Sequence, residues 1–313
     1  MSVGDPSAQS SRWVGTMLVA VAAMAFSGKA IIVKLAYRYG VDAVTLLALR
    51  MLFSAPLFLL LALWATRGER VPLSGTDRRA IFFLGLLGYY LASYFDFLGL
   101  QHITAALERL VLFLYPTFVL LLAAAIFRRP VTRRDLGALG LSYIGIVFVF
   151  INDLRTQTGN VVLGSFWVML SALCYAGYLL GSGHVVQRIG SLRFACYAGI
   201  VSCVGVLAHF LLVSDARLLI TQPPAVYWLS FLMAAVSTVL PIVMTSEGIR
   251  RIGASQASVI GSLGPVTTIF LGFFFLGEAI TLIQLFGAGL VMAGVMTMTA
   301  KPVKSQATPS RNP

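Results

Sequence analysis

The stretch ITAALERLVLFLYPTFVLLLAAAIFRRPVTRRDLGALGLSYIG, residues 103–145, returns 149 positions later as IGASQASVIGSLGPVTTIFLGFFFLGEAITLIQLFGAGLVMAG, residues 252–294. Ile103, Ala105, Pro116, Thr132, Leu136, Gly140 and Gly145 recur as Ile252, Ala254, Pro265, Thr281, Leu285, Gly289 and Gly294. The same offset carries Gly15, Ala23 and Gly28 onto Gly164, Ala172 and Gly177. One ungapped register from the first apolar stretch to the last marks a duplication.

What is duplicated is membrane-like. The chain is 58% apolar and 11% charged, with a mean hydropathy of +0.89; soluble domains carry about a quarter charged residues. A membrane helix needs about 20 apolar residues. Ten such segments can be drawn, at 13–36, 43–65, 80–100, 104–127, 135–151, 163–186, 194–214, 226–249, 254–276 and 281–300. Long unbroken runs, instead of short alternating ones, select helices over a barrel. Each copy holds five segments, and an odd number turns the second copy upside down relative to the first. The fold expected is therefore an all-α integral membrane protein of ten transmembrane helices in two inverted five-helix repeats. Its divisions are a tail at 1–12, a first repeat at 13–151, an outer linker at 152–162, a second repeat at 163–300 and a tail at 301–313. Inverted repeats are a common build for carriers that open alternately to two sides.

The net charge of +12 orients the chain and does not point to nucleic acid. One alternating set of helix ends carries Arg12, Arg67 to Arg79, Arg128 to Arg134, Arg188 with Arg193, Arg250 with Arg251, and the basic residues of the C-terminal tail. The opposite set has only Arg38, Arg155 and Arg217. The positive-inside rule then places both termini in the cytoplasm, in the inner membrane of the cell. Cys174, Cys196 and Cys203 all lie inside segments, offer no metal-ligand spacing and read as small packing residues. The N-terminal apolar run is read as a retained first helix, since losing it would break the repeat. Gly177 and Gly181, and the paired Gly140/Gly145 and Gly289/Gly294, mark close helix approaches.

Charges inside a span are costly, so those present need a reason. The first half has Lys29, Lys34, Arg50, Asp96, Glu108 and Arg109. Lys34 can snorkel to the headgroups. The others are deeper, and Asp96 and Glu108 each fall roughly 6 Å below the same end of adjacent helices. Tyr89, Ser93 and Asp96 make one stripe on the third segment, and Thr104, Glu108 and Tyr115 share a face of the fourth, with Arg109 about 100° away. Ser171, Tyr175, Tyr178 and Ser182 line up on the sixth segment, and Ser255, Ser258 and Ser262 on the ninth. Four polar faces suggest a cavity lined by tyrosines. Two readings of the charges stay open: a structural ion-pair network, or a site in which Arg50, Arg109 or Lys29 takes an anionic group and Asp96 or Glu108 a substrate amine or coupling proton. None of the five is repeated in the second half, where Thr245, Ala257, Ser258 and Tyr178 stand opposite Asp96, Glu108, Arg109 and Lys29. Pro116 and Pro265 occupy matching places and are hinge candidates.

These features together resemble the EamA-type transporters of the drug/metabolite transporter superfamily, over about residues 14–299. The resemblance is carried by Gly253-Ala254-Ser255, Pro265, Leu276-Gly277-Glu278, Thr281, Gln284, Gly287 and Gly294, with Lys34 and Arg50 in the first half. Phe26-Ser27-Gly28-Lys29 replaces a frequent Trp-Gly-x-Asn, and Arg128-Arg129 a frequent Gly-Glu. The resemblance implies a cavity from segments 1, 3, 4, 6, 8 and 9. The reading is a secondary transporter, an exporter of a small amphipathic metabolite such as an amino acid, with no cofactor, no metal and no enzymatic activity. The substrate, a coupled proton and the bilayer are its partners, and the oligomeric state is open. Its alternatives are a non-transporting structural or regulatory subunit, or an intramembrane enzyme, for which His102, His184 and His209 are too scattered.

Overall fold

Capping residues and glycines cut the apolar runs into helices. Asp42 accepts from the amides of Val44 and Thr45, Ser74 and Asp77 form a capping box, and Thr104 and Asn160 cap the helices that follow them. Gly190, Gly253 and Gly277, all at positive φ, stop helices where other residues would be strained. In a computed structural model, described over residues 6–66, 71–128, 131–156 and 159–299, every regular element is helical. Of residues 6–11, 254, 255, 258, 298 and 299 only the backbone is described. The helices are α1 (Pro6–Tyr37), α2 (Ala43–Ala65), α3 (Gly75–Leu100), α4 (Ala105–Phe127), α5 (Arg133–Thr156), α6 (Val161–Ile189), α7 (Ser191–Val213), α8 (Pro224–Ile252), α9 (254–276) and α10 (Leu282–Thr299).

Nine of these, α1 to α9, are long and apolar enough among the described residues to cross a membrane, while the apolar run of α10, Leu282–Thr297, is shorter. Large apolar side chains such as Leu212, Trp228, Phe274 and Leu282 are exposed on the outside of the bundle, as lipid-facing surface requires. The first helix starts at Pro6, inside the stretch expected to be a tail, and α5 and α6 narrow the expected linker at 152–162. The tail at 301–313 lies outside the described residues.

The two halves interlock. Helix α1 packs on α8 and α9, and its counterpart α6 packs on α3 and α4. Helix α2 packs on α8 as α7 does on α3, and α2 meets α7 while α5 meets α10. Equivalent helices cross antiparallel. A methyl group at Gly145 would lie 2.5 Å from the Gly287 carbonyl oxygen, and one at Gly294 would lie 2.6 Å from that of Ala138. Position therefore rises along α5 as it falls along α10. Phe58 against Gly199 and Met51 Sδ 3.8 Å from Cys203 Sγ give α2 and α7 the same relation. All three cysteines are buried and free. Of the paired glycines, Gly145 and Gly294 sit at the crossing, whereas nothing lies within 4 Å of a methyl at Gly140 or Gly289.

The duplication also preserves irregularities. Helix α3 winds as a π-helix at Leu86–Leu91, and α8 does so at Ala235–Val239, beginning 149 residues later. Helices α4 and α9 are broken, at Phe113–Leu114 and at Ser262–Leu263, the same offset apart. Pro116 and Pro265 stand two residues beyond these breaks, as expected where a missing N–H removes an i to i−4 hydrogen bond. Each sits in the first turn of a new segment, Tyr115–Phe127 or Gly264–Leu271, where a missing N–H costs nothing.

Candidate functional site

These four irregularities, unlike the π-helical end of α9 at Gly272–Leu276, face one cavity of about 420 Å³, through Gly88 and Tyr89, Ser237 and Thr238, Phe113 and Tyr115, and Gly261, Ser262 and Gly264. Short π segments recur at functional sites, and broken helices line the midplane sites of carriers. The wall also takes Arg50 from α2 and Val295 from α10, beyond the six helices that the resemblance implied.

Of the residues singled out from sequence, Lys29, Arg50, Tyr89, Ser93, Asp96, Arg109, Tyr115, Tyr175 and Ser262 line the cavity. The α3 stripe arrives whole. The α4 face does not: the break at Phe113–Leu114 interrupts the helical phase, so Tyr115 joins Arg109 on the wall while Glu108 lies behind it. Tyr178 is likewise off the wall. It fills the space that Gly88 leaves, donates to the Tyr89 hydroxyl at 3.5 Å and stacks on Tyr175. The side chain of Ser258 lies outside the described residues. Ser171 reaches the wall and donates to the Ala92 carbonyl at 2.7 Å, whereas Ser182 donates to its own helix.

The five charges, four of them buried and Lys29 partly so, divide. Lys29 Nζ lies 2.6 Å from Asp96 Oδ2 and 3.5 Å from Glu108 Oε1, so one ammonium serves two carboxylates. Arg50 donates through Nε to Thr238 Oγ1 at 3.1 Å and through Nη1 to Ser93 Oγ at 3.4 Å, and sits 5.5 Å from the Phe97 ring centroid. Arg109 donates through Nε to Thr268 Oγ1 at 3.2 Å. Thr238 and Thr268 each donate onward to a backbone carbonyl, of Met233 and Gly264. Each guanidinium of the first half thus rests on a threonine of the second. A single ion-pair network of all five charges is not what forms.

At one end the cavity reaches Val19 and Ile249. Beyond the other end the bundle is tied shut. Lys34 does not snorkel outward; its Nζ donates to the Ile103 carbonyl at 2.6 Å and pairs with Glu278 at 3.6 Å. Glu278 Oε1 accepts from the Ala105 amide at 3.1 Å, and Asp153 Oδ2 accepts from the Thr104 hydroxyl at 2.6 Å. Two carboxylates therefore cap the positive end of α4. Burial holds the Glu278 carboxyl, in the turn between α9 and α10, above the ordinary carboxylate range, and Lys34 opposes that shift. A raised pKa means that the fold prefers the protonated acid. The stability contributed by Glu278 is therefore complete at low pH and declines as pH rises through the raised value. Melting temperatures taken from about pH 4 to about pH 8 should fall less steeply with rising pH in Glu278→Gln than in the wild type.

Comparison with known proteins agrees with this architecture. The model of the EamA-like transporter family matches twice, at residues 13–151 and 162–300. The chain belongs to the EamA-like transporter family. As an EamA protein it is a multi-pass membrane chain of the drug/metabolite transporter superfamily. It is 32% identical over 299 residues, 93% of its length and 94% of the other's, to an uncharacterized transporter, YcbK, of Bacillus subtilis (strain 168). It is 25% identical over 68% of its length, and 71% of the other's, to a probable terminal-alkyne amino-acid exporter of Streptantibioticus cattleyicolor. A solved crystal structure aligns over 92% of this chain and 97% of its own, with a TM-score of 0.62 at 15% identity.

The sequence alone does not single out Thr238, Ser237, Phe113, Thr268, Glu278 as a cap, or Asp153, which falls within the expected linker at 152–162. The repeat offset is a usable signal for two of them, since Tyr89 maps onto Thr238 and Ser262 maps back onto Phe113.

Proposed function

We propose that this EamA protein is a secondary carrier, an exporter of a small amphipathic metabolite such as an amino acid or a related compound, working by alternating access. The observation that carries the reading is the chamber itself. Both halves enclose it, matched helix breaks line it, and it holds buried charges that a packing role does not need. The relative in Streptantibioticus cattleyicolor, named for amino-acid export, supports the substrate class.

In this reading ten helices cross the inner membrane as inverted repeats at 13–151 and 163–300, with both termini cytoplasmic. The cavity end at Val19 and Ile249 then faces the cytoplasm, and the Lys34–Glu278 tie closes the outer side. Rocking of the halves at the breaks before Pro116 and Pro265 exchanges the two states. The trio of Lys29, Asp96 and Glu108 is the coupling element: a proton on either carboxylate leaves Lys29 to the other. The test is counterflow of candidate amphipathic metabolites in proteoliposomes. Asp96→Asn and Glu108→Gln are each expected to lower proton-driven flux by at least about tenfold while substrate exchange at equal pH persists. Full proton-driven, pH-dependent flux in both variants would remove the coupling assignment, and absence of counterflow for every metabolite would remove the carrier.

A further inference from the structure

Resting on the carrier reading, and narrowing its amphipathic metabolite from an amino acid to an acid that lacks the ammonium group, we propose that the cargo is a small organic monoanion with an apolar body, its acid group received by Arg50 and Arg109. Three cations face the chamber, and they are not equivalent. Lys29 is occupied by Asp96 and Glu108. Arg50 and Arg109 are 5% and 7% exposed, and among the described residues neither has a carboxylate within ion-pair distance; Asp96 acts on Arg50 and Glu108 on Arg109 only through space, and their direct contacts are the hydroxyls of Thr238, Ser93 and Thr268 and the Phe97 ring. Arg109 Nη2 is buried with no hydrogen-bond partner, as is the hydroxyl of Ser237 on the same wall. A guanidinium stays charged at neutral pH, and a buried charge without a counterion is costly unless something negative fills the space.

Charge counting narrows the class. With both carboxylates ionised, the unprotonated state of the coupling trio, Lys29, Arg50 and Arg109 against Asp96 and Glu108 leave one net positive charge. A monoanion brings the chamber to neutrality, a dianion overshoots, and a zwitterion leaves the excess in place. An amine adds to the excess. Phe26, Phe113, Tyr115 and Tyr175 on the wall suit an apolar body, and two planar guanidinium forks suit a carboxylate.

The test uses the full chain in detergent and five probes that share a phenyl body and differ in charge: phenylacetamide, phenylacetate, phenylmalonate, phenylalanine and 2-phenylethylamine. Phenylacetate should raise the melting temperature most, and Arg50→Gln and Arg109→Gln should each weaken its apparent affinity by at least about tenfold. The ranking of probes on the wild type keeps the test independent of whether a variant folds. A larger shift from any of the other four probes, a shift from none of the five, or an undiminished phenylacetate response in both folded variants overturns the proposal. Phenylacetate counterflow in proteoliposomes is read in parallel. Binding without counterflow of phenylacetate or of any candidate metabolite leaves the monoanion assignment standing and removes the carrier. Counterflow of the amine alone keeps the carrier and removes the assignment.

Discussion

Replacing Lys29 with methionine is expected to destabilise the protein by about 3–5 kcal/mol, the cost of leaving a buried charge without its partner. Asp96 and Glu108 are 1% and 0% exposed, and Lys29 is the only cation within ion-pair distance of either among the described residues. Methionine keeps most of the chain length and apolar stem, so the loss is one of charge, not of volume. The double variant Lys29→Met with Asp96→Asn should recover part of the loss, because one of the two stranded carboxylates is gone. Thermal unfolding of the detergent-solubilised protein measures both. A Lys29→Met protein that melts with the wild type would mean that water or a proton already neutralises the pair.

The second large effect belongs to the α5–α10 crossing. A side chain at Gly145 meets the Gly287 carbonyl, with Leu290 Cβ 3.0 Å from the added methyl. A backbone oxygen has no rotamer to retreat into, so Gly145→Leu must push the two helices apart, at about 1–3 kcal/mol or more. Gly140→Leu makes the same exchange five residues earlier on the same helix, where nothing stands within 4 Å. There the higher helix propensity of leucine, about 0.5–1 kcal/mol over glycine, should leave stability unchanged or slightly raised. Melting temperature and size-exclusion profile of the two variants, compared side by side, check the contrast. Equal behaviour would mean that close packing at this crossing contributes little.

The fold was legible because its signals are additive along the chain. Twenty apolar residues outweigh any single interruption, and a constant offset of 149 accumulates evidence over many weak matches. Local geometry obeyed a different logic. The stripe of Tyr89, Ser93 and Asp96 reached the cavity as periodicity required. Tyr115 and Glu108 separated because a break of two residues resets the phase; Pro116 announces an interruption there, but not which face each side chain takes after it. Pairing was the least visible. Lys29 chooses Asp96 and Glu108, while Arg50 and Arg109 rest on hydroxyls across the molecular two-fold. Such choices depend on how helices lean on one another, which no single segment encodes. Asp153 shows the same blindness: near a loop by sequence, it is fully buried against Thr104 because α5 runs on to Thr156.

The interlocking of the halves has a consequence for how such a molecule could have arisen. Helix α1 finds its cover on α8 and α9, not on its own neighbours, and α6 finds its cover on α3 and α4. A polypeptide ending at Thr156 would enter the bilayer with those faces bare. Its stable state would be a pair of identical five-helix chains inserted in opposite senses, each supplying what the other lacks. One chain that holds both units leaves each side of the dyad free to differ, and Lys29, Arg50 and Arg109 have no basic counterpart in the second half.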